Sequence, residues 1–174
     1  MSTSYRFETV WPTASEDVRR EAIALWREHH AIPDAEAAER AKQLAVTARD
    51  ESGRLAAVCT AYKAPVPRLE HELYYLRAFV APPARRSRVG VDLVNHAKEA
   101  LTRYNASLPP ERRLIGIVMD IEAEVLKKGD PEIVWAHWSW VDFYFIGRTP
   151  RGTHLRVHYF KEVPLRFAAE RPAQ

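Results

Sequence analysis

The period of the apolar residues changes several times along this chain, and each change marks an element. Tyr5, Phe7, Thr9 and Trp11 share one parity, which predicts a strand over 5–11. Thr13 or Ser15 then offers a helix cap, with Glu16 and Asp17 in the first turn. Val18, Ala22, Leu25 and Trp26 form one apolar stripe of a helix reaching about His30. Pro33-Asp34 opens a second helix to about Gln43. Strands over 44–49 and 55–62, joined by the turn 50–53, make a hairpin. A loop with Pro65 and Pro67 leads to a long strand over 72–80. A helix from Ser87 to about Asn105 presents Val89, Leu93, His96 with Ala97, and Ala100 with Leu101 on one face. After Pro109-Pro110, the unbroken apolar run 114–119 suits a buried central strand. A helix over 131–140 precedes two strands, 143–147 and 155–160, joined by a turn at 149–152.

This order predicts one α/β domain over 1–174, a central mixed and mostly antiparallel sheet flanked by helices. The length of 174 residues suits one domain, and 47% hydrophobic with 28% charged residues is ordinary for a globular chain. A net charge of +3, with the basic residues spread along the chain, does not by itself argue for nucleic acid, and no nucleic-acid partner is expected. No apolar run approaches the roughly 20 residues of a membrane span, and the first residues lack a secretory pattern. The expectation is a cytoplasmic protein without a membrane partner. Cys59 is the single cysteine and lies in the apolar run AAVCTAY, which reads as a small buried hydrophobe.

The stretch VAPPARRSRVGVDLV, 80–94, concentrates basic residues at an element boundary. It places Arg85, Arg86 and Arg88 around Ser87, between the end of a strand and the start of a helix. A helix N-terminus leaves backbone N–H groups unpaired and carries partial positive charge, so anions bind there. Arginines beside it add charge-assisted bonds to phosphate oxygens. Strand, basic turn and helix together make a candidate phosphate cradle; a solvated basic turn is the alternative.

The same residues carry a family resemblance. Val80-Ala81-Pro82, then Arg85 to Gly90, then Leu93-Val94 resemble the signature of the GCN5-related N-acetyltransferase (GNAT) superfamily. That signature runs Val-x-Pro, then Gln or Arg, two residues, Gly, one residue, Gly or Ala, and a leucine pair. The hairpin 51–62 and the segment AHWSWVDFYFIG, 136–147, fit the family's element order. The resemblance implies acetyl-CoA, or another acyl-CoA, as co-substrate. Backbone N–H groups of Arg85, Arg86, Ser87, Arg88, Val89 and Gly90 would hold its pyrophosphate. Phe79 and Val80 would bond the pantetheine arm where the sheet splays between the strand ending near Val80 and the strand 114–119. The implied reaction is N-acyl transfer, most simply acetyl transfer, to an amine of a small molecule or protein. Tyr74 falls near the position of the family's glutamate base, and Glu72 shares a face with it, so both are candidates on that strand. Trp138 occupies the place of the family's acid tyrosine, and Tyr144 is the nearby phenol that could replace it.

Three residues depart from the family pattern: Arg88 for the first loop glycine, Trp138 for the tyrosine, and Asp142 for a glycine. Arg88 and Trp138 keep a second class open, a GNAT-fold protein without acetyltransferase activity that serves as a binding or assembly module or runs different chemistry in the same cleft. No metal is expected. His154 and His158 are four residues apart on a strand, which separates them by roughly 13 Å. The final hairpin carries large apolar residues on both faces, which predicts a homodimer through it or through the segment 135–140; in a monomer, Leu165 and Phe167 would fold over the same surface.

Overall fold

A computed structural model describes residues 4–121, 142–161 and 163–165. The elements run β1 Arg6–Thr9, α1 Glu16–Glu28, α2 Asp34–Ala41, β2 Leu44–Arg49, β3 Leu55–Val66, β4 His71–Val80, α3 Val89–Ser107, β5 Gly116–Ile121, β6 Tyr144–Arg148 and β7 His154–Tyr159. The strands form one mixed sheet in the order β1-β2-β3-β4-β5-β7-β6. Only β4 and β5 pair in parallel; the other neighbours are antiparallel. The expected α/β class and mixed sheet are what the chain forms. The helix expected over 131–140, with Trp135, Trp138 and Trp140, lies outside the described residues.

Local chemistry explains the elements. The Ser15 hydroxyl accepts the Val18 N–H at 3.4 Å, and Glu16 and Asp17 follow in the first turn of α1. Its stripe of Ala22, Leu25 and Trp26 packs with Ala37 and Ala41 of α2 on Leu44 and Val58. On the opposite face of the sheet, Val89, Leu93, Ala97 and Leu101 of α3 pack on Ala57, Cys59, Tyr74, Leu76 and Ile117. His96 does not join that core; it is exposed and stacks on Phe7 with ring centroids 4.5 Å apart. A smaller cluster of Val66, Leu73, Ile115, Val118 and Val157 lies beneath the tip of the β3–β4 hairpin, with Leu69 and Ile146 against it.

Three boundaries differ from the sequence reading. β3 continues past Tyr62 to Val66, through Pro65. Beyond Thr60 that strand pairs only with β4, and an edge of this kind accommodates a residue without an N–H. β5 starts at Gly116 rather than Leu114. The buried Asn105 at the end of α3 takes both backbone groups of Leu114, accepting its N–H at 2.9 Å and donating to its carbonyl at 3.0 Å. α3 starts at Val89, two residues after Ser87, whose hydroxyl accepts the Val89 N–H at 3.3 Å.

Candidate functional site

The sheet opens at one place. β4 and β5 pair at Tyr74↔Ile117, Tyr75↔Val118 and Leu76↔Met119, and no further. Past Leu76, β4 stays on β3 as far as Val80↔Ala57, while β5 stays on β7 as far as Ile121↔His154. Each strand keeps one neighbour and the two part. Arg77, Ala78, Phe79 and Val80 therefore have no β5 partner, and Ala78 is exposed in the opening. A free strand edge offers alternating N–H and C=O groups to an extended polar ligand.

The open edge leads directly into the basic loop. Its first N–H groups are used in tight turns: Ala84 to the Ala81 carbonyl at 2.9 Å, Arg85 to Pro82 at 3.3 Å and Ser87 to Ala84 at 3.1 Å. The N–H groups of Arg86, Arg88 and Gly90 have no hydrogen-bond partner among the described residues. They are orphan donors at the positive end of α3, a helix of 19 residues. The Arg85 guanidinium folds back, with Nε donating to the Val80 carbonyl at 3.0 Å. The Arg86 and Arg88 side chains are exposed and have no ion-pair partner among the described residues. Arg88 sits at φ −78°, ψ −1°, a conformation open to any residue, so its departure from glycine strains nothing. Gly90 has a different reason to be glycine. A Cβ there would lie 3.3 Å from Val80 Cγ2, so its absence lets α3 approach the end of β4.

The expected catalytic residues do not gather at this fork. Glu72 is exposed near the start of β4, four residues before Leu76, or roughly 13 Å by strand rise. It lines a cavity of about 210 Å³ with Glu70, Glu111 and Arg113. Tyr74 is fully buried under α3, between the edges of Trp11 and Phe160, and its hydroxyl donates to Asn105 Oδ1 at 3.5 Å. Burial first, and neighbouring Tyr104 second, push its phenol up to about 12. Neither side chain opens into the fork. Tyr144 is 43% exposed and pairs with Val157 on β6, two strand spacings or roughly 10 Å from β5.

One group at the fork was not singled out from the sequence. Asp120 is the first β5 residue past the last parallel pair, and by strand alternation it shares a face with Val118. Its side chain is 19% exposed, and Oδ2 accepts from Arg151 at 3.2 Å. Oδ1 is buried without a hydrogen-bond partner among the described residues. On the same face Tyr75 stacks on Tyr62 at 5.4 Å between centroids, and the Arg77 guanidinium lies 4.5 Å over the Tyr62 ring while donating to Gln43. The Tyr75 phenol is pushed up by burial, then by the neighbouring Tyr62 and by the Asp120 charge. The available signal was an acid near the end of an otherwise apolar β5 sequence, GIVMDI.

No family model matches the chain, and no curated protein sequence matches it. Solved structures do. A GNAT-family acetyltransferase from Streptococcus pneumoniae superposes with a TM-score of 0.60 at 12% identity, covering 90% of this chain and 99% of that one. A GNAT-superfamily phosphinothricin acetyltransferase from Sinorhizobium meliloti, solved in complex with acetyl-CoA, gives 0.59 at 17% identity over 92% and 89%. Arabidopsis thaliana NAA60, also in complex with acetyl-CoA, gives 0.55 at 14% identity over 90% and 98%. The chain has the fold of the GNAT acetyltransferases.

Proposed function

We propose that this protein transfers an acyl group, acetyl in the simplest case, from acyl-CoA to the amine of a small molecule or protein. The observation that carries this reading is the fork. The edge of β4 from Arg77 to Val80, which β5 leaves open, ends at a loop where the N–H groups of Arg86, Arg88 and Gly90 have no partner among the described residues and the Arg86 and Arg88 side chains flank them. A phosphate-bearing ligand with an extended amide arm matches that arrangement: the anion meets the loop, and the arm lies along the strand edge. Two proteins of the same fold were solved with acetyl-CoA, which supports the choice of donor. The thioester end then lies where β4 and β5 part, beside Leu76 and Met119.

Isothermal titration with acetyl-CoA and CoA tests the donor site. Binding is expected, and Arg86→Ala is expected to weaken it roughly tenfold, equivalent to about 1.4 kcal/mol. A folded protein that binds neither ligand would end this reading. The departures from the family pattern at Arg88 and Trp138 leave a second reading, a module that binds CoA without turnover. Thiol release measured over a broad amine panel separates the two: turnover of any amine supports the transferase, and binding with no turnover supports the module.

A further inference from the structure

We infer that Asp120 receives the acceptor's amine, and that the acceptor is a protonated alkylamine; this rests on the transferase reading above. Three observations meet at this residue. It stands one step past the last β4–β5 pair, at the opening where the transferase reading puts the donor's thioester. It shares its face with the stacked Tyr62 and Tyr75 and lies opposite Leu155 on β7, so the approach is walled by rings and an aliphatic side chain. Its Oδ2 meets Arg151, and its Oδ1 is buried without a hydrogen-bond partner among the described residues.

A carboxylate oxygen removed from water without a donor is unfavourable, and a bound N–H group relieves that directly. An ammonium does so best, because the bond is charge-assisted. A neutral arylamine or an alcohol brings no cation, and an anionic acceptor is repelled. Arg77, the strong cation nearest on β4, is turned toward Tyr62 and Gln43 instead. The tyrosine pair suits the methylenes or the cationic head of an alkylamine.

The ammonium gives one proton to Asp120, which passes it to solvent. The freed nitrogen lone pair attacks the thioester carbonyl carbon. The C–S bond breaks with its electron pair on sulfur, and the second N–H proton ends on that sulfur, leaving the N-acyl amine and CoA thiol.

The test compares wild type with Asp120→Asn, a change of one atom in the same shape. Acetyl-CoA affinity by titration is expected to stay within about twofold. kcat/KM for alkylamines is expected to fall roughly 100-fold or more, the range of a lost general base. The residual rate should rise with pH in proportion to the free amine, because only pre-deprotonated acceptor can then attack. Wild type alone supplies a second measurement that needs no variant: benzylamine is turned over and aniline is not. Wild-type rates in Asp120→Asn, or equal use of aniline, overturn the assignment while acetyl-CoA binding stands. Absence of acetyl-CoA binding by wild type overturns the donor reading and this inference with it.

Discussion

His158 lies on β7 between Phe143 and Phe160, with ring centroids 5.7 and 6.1 Å away and Nδ1 at 3.0 Å from the Asp142 carbonyl. Burial is the largest influence and lowers its pKa below the ordinary 6.5; the Asp142 carbonyl and carboxylate oppose that, while the charges of Lys98 and Lys161 add to it. A histidine with a depressed folded pKa binds fewer protons than the unfolded chain as pH drops through 6.5. The stability its neutral ring contributes is thus full above 6.5 and is lost on going lower. His158→Asn keeps a donor for the carbonyl and has no charge to gain. Urea unfolding at pH 7.5 and 5.0 should show a smaller acid loss in the variant; an equal loss would place the acid sensitivity elsewhere. At this scale the sequence was a fair guide where burial alone decides. Cys59 is fully buried as expected, and desolvation raises its thiol to about 12. Glu72 and Asp120 were harder to sort, because parity names a face but not how far along it two strands stay paired.

At the scale of elements, the order of strands and helices was legible because each is bounded by its own punctuation: Ser15 before α1, Gly53 between β2 and β3, Pro82-Pro83 between β4 and α3. The ends were less legible because side chains far away in sequence decide them, as Asn105 does for Leu114. The fork itself depends on β5 holding β7 while it leaves β4, and Gly116 makes the first β5–β7 pair with Tyr159. A Cβ on Gly116 would collide with the His158 carbonyl oxygen and lie 3.1 Å from Tyr159 Cα. Both are backbone atoms, so the strands themselves would have to separate. Gly116→Ala should destabilise the fold by about 1–3 kcal/mol or more, the scale of an overpacked core. An unchanged urea midpoint would show that β5 and β7 do not run this close.

For the whole molecule, the fold was readable from the order of elements, and the basic turn read as a candidate phosphate cradle lies beside a strand edge and N–H groups that have no partner among the described residues. What remains at this scale is whether one chain acts alone. β6 closes the sheet and has β7 as its one strand neighbour among the described residues. Tyr144 and Tyr159, 43% and 42% exposed, both fall on the parity of Val157. Two exposed tyrosines on a terminal strand pair suit burial against a second copy, since phenols combine apolar area with a hydroxyl that tolerates a wet rim. The expected state is a homodimer through this hairpin. Light scattering at tens of micromolar should give twice the chain mass of 20.0 kDa, and Tyr159→Arg should return it to the single mass while the circular dichroism of the fold is kept. A wild-type mass of one chain rejects the dimer. In that case the cover must come from the same chain, starting at Leu165, which is 59% exposed. Leu165→Asp would then lower the unfolding midpoint without changing the mass, whereas in the dimer Tyr159→Arg is the substitution that changes the mass.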